Sequence, residues 1–191
     1  NRKFKDALGK GKMLPADEVV ALTGHPVGGV CPFGLTSDLP IYLVGGAVRD
    51  ALLNRPTHDL DFVLDGDGNQ IARRVANALQ VPFFPLDEAR GTGRVVLPHP
   101  NSDPSRPGER YFMDFASFRG ADLESDLRAR DFTINAMAVD IRTPQQLLDP
   151  TGGAADLLAK RLRACSPTSL QDDPLRILRA VRLATTFNLQ I

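Results

Sequence analysis

Asp59 and Asp61 are separated by one residue within 59–64, a segment whose polar and apolar residues alternate as in a β-strand. Both carboxylates then project from one face of the strand, about 7 Å apart. Carboxylates this close repel each other, and a divalent cation such as Mg²⁺, which prefers oxygen ligands, relieves the repulsion. Asp114, on another alternating segment, supplies a third carboxylate if the two strands are neighbours. An isolated Asp-x-Asp more often caps a turn or faces solvent, so the residues around it decide.

A glycine pair, Gly45-Gly46, follows the apolar segment 41–44 and precedes a helical stretch. Backbone N–H groups at such a position can point at an anion, and without Cβ atoms the main chain can approach a phosphate closely. Arg49 adds charge-assisted hydrogen bonds to phosphate oxygens. The pattern is neither a dinucleotide fingerprint nor a P-loop. With the aspartate pair on the next strand, it indicates a triphosphate clamp beside a metal site.

A helix is predicted from Pro174 onward, because proline is tolerated in a first helical turn. We expect its buried stripe to consist of Ile177, Leu178, Val181 and Ala184. A polar ridge recurs every three residues on the remaining surface and consists of Asp173, Arg176, Arg179 and Arg182. One interpretation of the ridge is a solvated basic face.

The other interpretation of the ridge is a template for a nucleobase. Cytosine and adenine both present an amino donor next to a ring-nitrogen acceptor, which the carboxylate of Asp173 beside the guanidinium of Arg176 complements. Guanine and uracil present a carbonyl in place of the amino group and would leave polar groups unpaired, so such a site rejects them.

The elements that must position these residues predict an α+β fold, a small mixed sheet with helices. The predicted strands are 41–44, 59–64, 81–84, 93–97 and 111–116. Helices are predicted at 15–22, at 47–53 after the glycine pair and at 70–79, and the chain is expected to be mostly helical from residue 122 onward. Loops are predicted at 24–40 and 98–110, where glycine and proline are frequent.

Composition limits the classes of protein that the sequence can encode. Of its 191 residues, 42% are hydrophobic and 24% charged, which excludes a disordered or collagenous chain. Lys+Arg and Asp+Glu both number 23, so any contact with nucleic acid must come from a local basic face. No apolar run approaches 18 residues and no leader pattern occurs, which favours a cytoplasmic protein without a membrane partner. The sequence begins at Asn1 and ends within a helical pattern at Ile191, as expected of a piece of a longer protein.

Four segments carry a family resemblance over about residues 41–191: VGGAVRDALLNRPTHDLDFVLDG, LRARDFTINAMAVD, LLDPTGGAADL and DDPLRILRAVRLA. In order and spacing they resemble the head of class II tRNA nucleotidyltransferases (CCA-adding enzymes) and bacterial poly(A) polymerases, within the DNA polymerase β superfamily. The resemblance implies a nucleotidyltransferase palm over 41–150, then a template helix and the start of a helical neck over 151–191. The family's Glu-Asp-x-x-Arg motif starts here with Asp172, a departure that keeps both base-reading residues.

The resemblance also implies an activity: addition of C, A or both to the 3′ end of tRNA from CTP and ATP. Asp59 and Asp61 would hold two Mg²⁺ ions, and Asp114 would complete the catalytic set. The nucleotide-binding residues implied are Gly45, Gly46, Arg49, Arg130, Asp131, Asn135, Asp173, Arg176, Arg179 and Arg182. Two alternatives stay open: poly(A) addition, and a noncatalytic module that grips tRNA through Lys160, Arg161, Arg163 and the ridge arginines. The oligomeric state is open as well.

The first forty residues carry a second resemblance. LTGHPVGGVCPFGL, within about residues 3–40, is similar to part of the prolyl-tRNA editing (aminoacyl-tRNA deacylase) domain family, with His25 and Gly28-Gly29 in its glycine-rich substrate loop. The region where that family keeps an essential lysine would lie upstream. We therefore expect residues 1–40 to form a partial editing-domain extension, with editing of mischarged tRNA as a further alternative. One histidine and one cysteine, His25 and Cys31, do not make a zinc site.

Overall fold

The structure is a computed structural model and describes residues 39–98 and 110–191. The editing-domain resemblance, the helix predicted at 15–22 and nearly all of the loop predicted at 24–40 lie outside the described residues. Most of the loop predicted at 98–110 lies outside them as well. The domain boundaries after residues 40 and 150 stay predictions.

The described residues form a mixed sheet with helices, which confirms the α+β class. The strands are β1 (Ile41–Val44), β2 (Asp59–Leu64), β3 (Phe83–Asp87), β4 (Thr92–Pro98), β5 (Arg110–Ser117), β6 (Ala138–Asp140) and β7 (Leu147–Leu148). The helices are α1 (Gly46–Leu52), α2 (Gly68–Leu79), α3 (Leu123–Arg128), α4 (Gly153–Leu158), α5 (Ser169–Asp172) and α6 (Leu175–Phe187), with a 3₁₀ turn at Thr133–Asn135. The sheet order is β3-β4-β5-β2-β1-β6-β7.

Strand β2 lies at the middle of the sheet, between β1 and β5. It runs antiparallel to β1, with Val44 opposite Asp61, and parallel to β5, with Asp61 opposite Asp114. The expected neighbourhood of the strands that carry Asp61 and Asp114 is therefore present. This pairing places the glycine turn after β1 and the carboxylate of β5 on either side of one aspartate.

The two faces of β2 have different roles, as its alternation predicts. Phe62 and Leu64 pack in a core with Ile71 and Val75 of α2. Val63, on the opposite face, packs with Leu127 of α3. The aspartates share the face of Val63, so one side of the sheet supplies stability through α2 while the other side stays available for chemistry.

Helix α2 begins at a capped position. The side chain of Asp67 accepts hydrogen bonds from the backbone N–H groups of Asn69, at 2.9 Å, and Gln70, at 3.3 Å. These two groups lack partners within the helix, and such a cap contributes about 1 kcal/mol. The cap explains why the helix starts two residues before the predicted 70–79.

Short strands replace part of the helical region predicted from residue 122 onward, where the prediction was wrong. β6 pairs antiparallel with β1, and β7 pairs with β6. Without β6, the edge of β1 that faces away from β2 would present unpaired backbone N–H and C=O groups. Pairing with the apolar segment of β6 satisfies them. β3 also lies later than the predicted 81–84, and Pro85 is tolerated there because β3 is at the edge of the sheet.

Helix α6 buries a different side from the predicted stripe. Ile177, Leu178 and Val181 are 52%, 68% and 58% exposed, whereas Ala180 and Leu183 are buried. The prediction failed because the helix is apolar on two sides, and its packing partners decide which side is buried. The side with the smaller residues packs in one core cluster with Val48 of α1 and Leu157 of α4.

Within residues 39–98 and 110–191, none of the helices combines the length and the hydropathy that a membrane span requires.

Candidate active site

All of the predicted site residues line one open cleft of about 1600 Å³. The cleft lies over the face of β2 that carries the aspartates, and α1 and α6 contribute to its walls. Residues from four separate sequence segments therefore meet around a single space.

Gly45 connects β1 to α1 with a φ of 71°, a conformation that residues with a side chain rarely adopt. A Cβ atom at this position would lie 3.3 Å from Arg130 Nη1 and 3.5 Å from Asp61 Oδ2. The Gly45 N–H donates to the carbonyl of Met137, which ties the turn to the segment before β6. The absence of a side chain thus keeps open the space between a cation and a carboxylate.

Asp59 and Asp61 both open onto the cleft from the start of β2. The hydroxyl of Thr57 donates to the Asp59 carbonyl at 3.1 Å and accepts from the Asp59 N–H at 3.3 Å, which fixes the beginning of the strand. The pKa of Asp61 is raised above its ordinary value of 3.8. The surrounding protein removes water from this carboxylate although the cleft still reaches it, and the negative charges of Asp114 and Asp59 act in the same direction.

The third predicted carboxylate, Asp114, has a partner that the sequence did not indicate. Arg94 of β4 donates from Nε to Oδ1 and from Nη2 to Oδ2 of Asp114, both at 2.7 Å. The hydrogen bond to Asp114 raises the pKa of Arg94. Asp114 is therefore a neighbour of Asp61 whose two oxygens are held by a guanidinium.

The candidate metal centre consists of two carboxylates rather than three. Among residues 39–98 and 110–191, no group of three or more His, Cys, Asp or Glu side chains is gathered around a possible metal position. Asp59 and Asp61 nevertheless fit Mg²⁺, which is commonly held by one or two carboxylates while waters and substrate phosphates complete its ligands. Burial first, and then the charge of Asp114, raise the pKa of Asp61, and a bound cation would oppose both effects.

Arg130 is anchored on one edge and open on the other. Its Nε and Nη2 donate to Oδ2 of Asp126 at 3.1 and 2.9 Å, and Asp126 is fully buried. Nη1 is the atom that faces the glycine turn. The spacing of four residues, from α3 to just beyond its end, could have revealed this pair from the sequence. The anchor presents a fixed cation to the cleft.

Arg49, Asn135 and Asp131 form a buried chain of hydrogen bonds. Arg49 donates to Asn135 at 2.6 Å, and twice to Asp50 at 3.0 Å. Asn135 donates to Oδ1 of Asp131 at 3.3 Å. Three of the five N–H groups of a guanidinium are thus used, and two remain for a ligand. The predicted nucleotide-binding role of Asn135 and Asp131 is therefore accompanied by a positioning role.

The ridge of α6 reaches the same network. Arg179 Nη2 lies 3.2 Å from Oδ2 of Asp131 and forms an ion pair with it. This buried oxygen accepts no well-aligned hydrogen bond from the described residues. Arg182 lines the cleft further along the helix. The ridge therefore faces the cleft, as the template interpretation requires, instead of bulk solvent alone.

The two predicted base-reading residues each make a structural contact. Asp173 Oδ1 accepts from the Leu175 N–H at 3.0 Å, at the start of α6. Arg176 Nη1 donates to the Ser169 hydroxyl at 2.7 Å, and Nη2 donates to the carbonyl of Ala129 at 3.0 Å. Nε takes no part in these bonds. Arg176 is thereby held against the segment that contains Arg130.

Phe187 is a residue that sequence reasoning missed. Its ring lies under the guanidinium of Arg49 at 4.3 Å and of Arg55 at 4.8 Å, measured from Cζ to the ring centroid. Cation–π contacts of this kind contribute about 0.5–2 kcal/mol. No local pattern reveals them, because α6 and α1 are far apart in the sequence. The end of α6 thus supports Arg49, just after the glycine turn.

The basic segment proposed for a noncatalytic tRNA grip is partly neutralised. Arg163 donates from Nε to Oδ2 of Asp156 at 2.9 Å, and Arg161 lies 3.7 Å from Oδ1 of the same carboxylate. Asp156 is buried and also accepts from the Thr133 hydroxyl at 2.7 Å. These arginines therefore stabilise the fold around α4.

Comparisons with known proteins show which family the chain resembles. A family model described as the poly A polymerase head domain matches residues 41–163. A CC-adding tRNA nucleotidyltransferase of Geobacter sulfurreducens is 47% identical over 150 residues, which are 78% of this chain and 33% of the relative. The chain therefore spans about a third of the length of this curated relative.

Solved structures show the same likeness. A CCA-adding enzyme in complex with ATP has a TM-score of 0.70 and 31% identity, covering 99% of this chain and 42% of that chain. The Thermotoga maritima CCA-adding enzyme complexed with tRNA has a TM-score of 0.69 and 30% identity, covering 92% of this chain and 42% of that chain.

The fold is that of a nucleotidyltransferase palm. The chain belongs to the poly A polymerase head domain family, whose model matches more than half of it. The predicted family is thereby confirmed, and nucleotidyltransferases of this family generally use a divalent metal ion.

Proposed function

We propose that this chain is the head of an enzyme that adds C, A or both to the 3′ end of tRNA, from CTP and ATP with Mg²⁺. One observation carries the proposal: the Arg130 guanidinium and the Asp61 carboxylate both lie within 3.5 Å of the place where a Cβ atom of Gly45 would be. The relatives named CC-adding and CCA-adding enzymes support it. Because ATP, CTP and tRNA occur in the cytoplasm, we propose a cytoplasmic location as well.

The reaction is an in-line displacement in which the 3′-hydroxyl of the RNA attacks the α-phosphate and pyrophosphate leaves. Asp59 and Asp61 would hold Mg²⁺, whose chemistry is to activate the hydroxyl and stabilise the leaving oxygens. Gly45 and Gly46 let the triphosphate approach the main chain, while Arg49 and Arg130 neutralise its charge. The protein acts mainly by positioning and by electrostatic stabilisation.

Base selection is assigned to the start of α6. Asp173 accepts from the amino group of cytosine or adenine, and Arg176 donates to the neighbouring ring nitrogen through the edge that its contacts with Ser169 and Ala129 leave unused. Arg179 and Arg182 extend this wall of the cleft. Asp131 and Asn135 hold Arg179 and Arg49 in place.

The test is incubation with tRNA that lacks its 3′ CCA end, Mg²⁺ and each labelled nucleoside triphosphate separately. We expect incorporation from CTP or ATP and little from GTP or UTP. Asp59→Ala or Asp61→Ala should lower turnover by at least about 10³-fold, equivalent to roughly 4 kcal/mol of barrier. Arg176→Ala should blur the preference among bases.

A matched control is Arg128→Ala, since Arg128 is an exposed arginine of α3 paired with Glu124. It should leave both rate and base preference unchanged. Equal use of all four nucleotides by the wild-type chain would refute base reading by α6, and normal turnover of the aspartate variants would refute the metal assignment. Binding of tRNA without any incorporation would favour the noncatalytic alternative.

A further inference from the structure

Four arginines line the cleft close enough together for their charges to interact: Arg90, Arg119, Arg130 and Arg176. Three of them have partners, since Arg130 is paired with Asp126, Arg176 donates to main-chain carbonyls, and Arg90 lies 3.7 Å from Asp87. Among the residues that the structure describes, the guanidinium of Arg119 makes neither an ion pair nor a hydrogen bond. Arg119 is therefore the cation of this group whose exposed guanidinium is left for water or an external anion.

The position of Arg119 is fixed by the same buried carboxylate that anchors Arg130. Its backbone N–H donates to Asp126 Oδ1 at 3.1 Å, while Asp126 Oδ2 accepts from Arg130. Loss of water, followed by the positive charge of Arg130, lowers the pKa of Arg119. A guanidinium stays protonated at neutral pH regardless. The main chain of Arg119 is thus held, and its exposed guanidinium adds to the cleft a positive charge that favours an anion.

The main chain of Arg119 lies apart from the glycine turn of the triphosphate clamp, although Arg119 shares Asp126 with Arg130. The clamp follows β1, whereas Arg119 follows β5, and β2 lies between the two strands. Two strand spacings amount to about 10 Å. The N–H of Phe118 donates to the carbonyl of Leu64, at the opposite end of β2 from the aspartates. The main chain of Arg119 is therefore displaced from Gly45 both across and along the sheet.

The geometry of in-line transfer indicates which substrate lies on the β5 side of the cleft. The attacking hydroxyl and the leaving pyrophosphate must lie on opposite sides of the α-phosphate. With the triphosphate on the β1 side, the RNA acceptor arrives over β5 and β4. Its backbone brings phosphodiester anions, for which a guanidinium is a suitable partner.

We propose that Arg119, assisted by Arg90, binds a backbone phosphate of the acceptor RNA on the side of the cleft away from the glycine turn. The inference rests on the proposed function, because it takes the orientation of the reaction from it. The ligand is a phosphodiester, so the contact does not depend on base identity.

The experiment measures binding rather than turnover. The affinity of the whole chain for tRNA lacking its 3′ CCA end is determined by fluorescence anisotropy from 50 to about 200 mM salt. The affinities for CTP and ATP with Mg²⁺ are determined separately by calorimetry. Arg119→Gln should weaken RNA binding about three- to tenfold and reduce the slope against log salt by about 0.7, leaving nucleotide affinity unchanged.

Two further variants control the measurement. Arg119→Lys keeps the charge and should retain most of the RNA affinity. Arg128→Gln removes an exposed arginine of α3 that is paired with Glu124, and should change neither affinity.

Three results overturn the inference. In the first, Arg119→Gln weakens nucleotide binding and leaves RNA binding unchanged, so the phosphate belongs to the nucleotide. In the second, both affinities stay unchanged, so Arg119 is a solvated charge. In the third, the wild-type chain does not bind the RNA. Absence of nucleotide incorporation by a chain that binds RNA through Arg119 would instead refute the proposed function alone.

Discussion

At the scale of single residues, side chains that face the cleft are held by others that do not react. The guanidinium of Arg49 is almost fully enclosed by Asp50, Asn135 and the ring of Phe187. Ligand binding to Arg49 costs little side-chain entropy, because the rotamer of Arg49 is already fixed. The cost of building the site is met during folding instead.

The free thiol of Cys165 has no part in this chemistry. It is half-buried, and burial raises its pKa to about 12, so it is protonated at neutral pH. A protonated thiol is a poor nucleophile and a poor metal ligand. The reaction assigned to the cleft needs no covalent intermediate.

Asp61→Asn should stabilise the fold while abolishing activity. The folded pKa of Asp61 is raised, so the folded protein holds its proton more tightly than the unfolded chain does. The stability that this gives is complete only below the ordinary value of 3.8 and is lost as pH rises through the raised pKa. At neutral pH without metal, the ionised carboxylate therefore costs stability, and the amide removes that cost.

Thermal unfolding at pH 7 with EDTA measures the effect, and the variant should melt above the wild type. Addition of Mg²⁺ should raise the melting temperature of the wild type more than that of the variant. A variant that melts below the wild type in EDTA would show that the raised pKa of Asp61 does not reflect destabilising charge. The same comparison at pH 3 should show a smaller difference.

At the scale of elements, α6 and α1 are joined through the ring of Phe187. Phe187→Leu removes the contacts with Arg49 and Arg55 while keeping an apolar residue in place. A loss of about 1 kcal/mol corresponds to about a fivefold rise in KM for the nucleotide, with kcat changed less. Steady-state kinetics of the nucleotide-addition reaction measure it.

Phe187→Tyr is the matched control, since a phenol ring keeps the aromatic face. The Phe187→Tyr variant should retain the wild-type affinity for the nucleotide. If Leu and Tyr variants are equally impaired, the ring acts through shape and not through its π-face. If neither differs from the wild type, Arg49 does not need this support.

Local patterns predicted the parts of the site that depend on neighbours in sequence. The same-face placement of Asp59 and Asp61 follows from the two-residue period of a strand, and the turn at Gly45 follows from its glycine pair. The Arg94–Asp114 pair depends on the register between β4 and β5, which one sequence does not reveal. The stripe of α6 was mispredicted for a similar reason, because burial there is set by distant partners.

At the scale of the whole molecule, stability resides in the core beneath the sheet and in the cluster where α1, α4 and α6 meet. The large side chains on the outer side of α6 contribute little to it. Leu178→Glu should therefore change the free energy of unfolding by less than about 0.5 kcal/mol, as for other exposed positions. Leu183→Ala should cost about 2–5 kcal/mol, because Leu183 is buried.

Urea unfolding of both variants checks the assignment. Equal destabilisation by the two substitutions would mean that the predicted stripe is buried after all. A stable Leu178→Glu variant would also retain nucleotide binding, since Leu178 does not line the cleft.

The parallel pairing of β2 with β5 has a consequence for how the protein matures. Residue 59 pairs with residue 112, so the hairpin of β3 and β4 and the whole of α2 must be made before this ladder can close. Contacts between such distant positions form slowly, because a long loop loses its freedom first. A nascent chain emerging from the ribosome therefore contains Asp59 and Asp61 long before it contains β5, the strand that pairs with β2. The candidate active site accordingly forms late in folding.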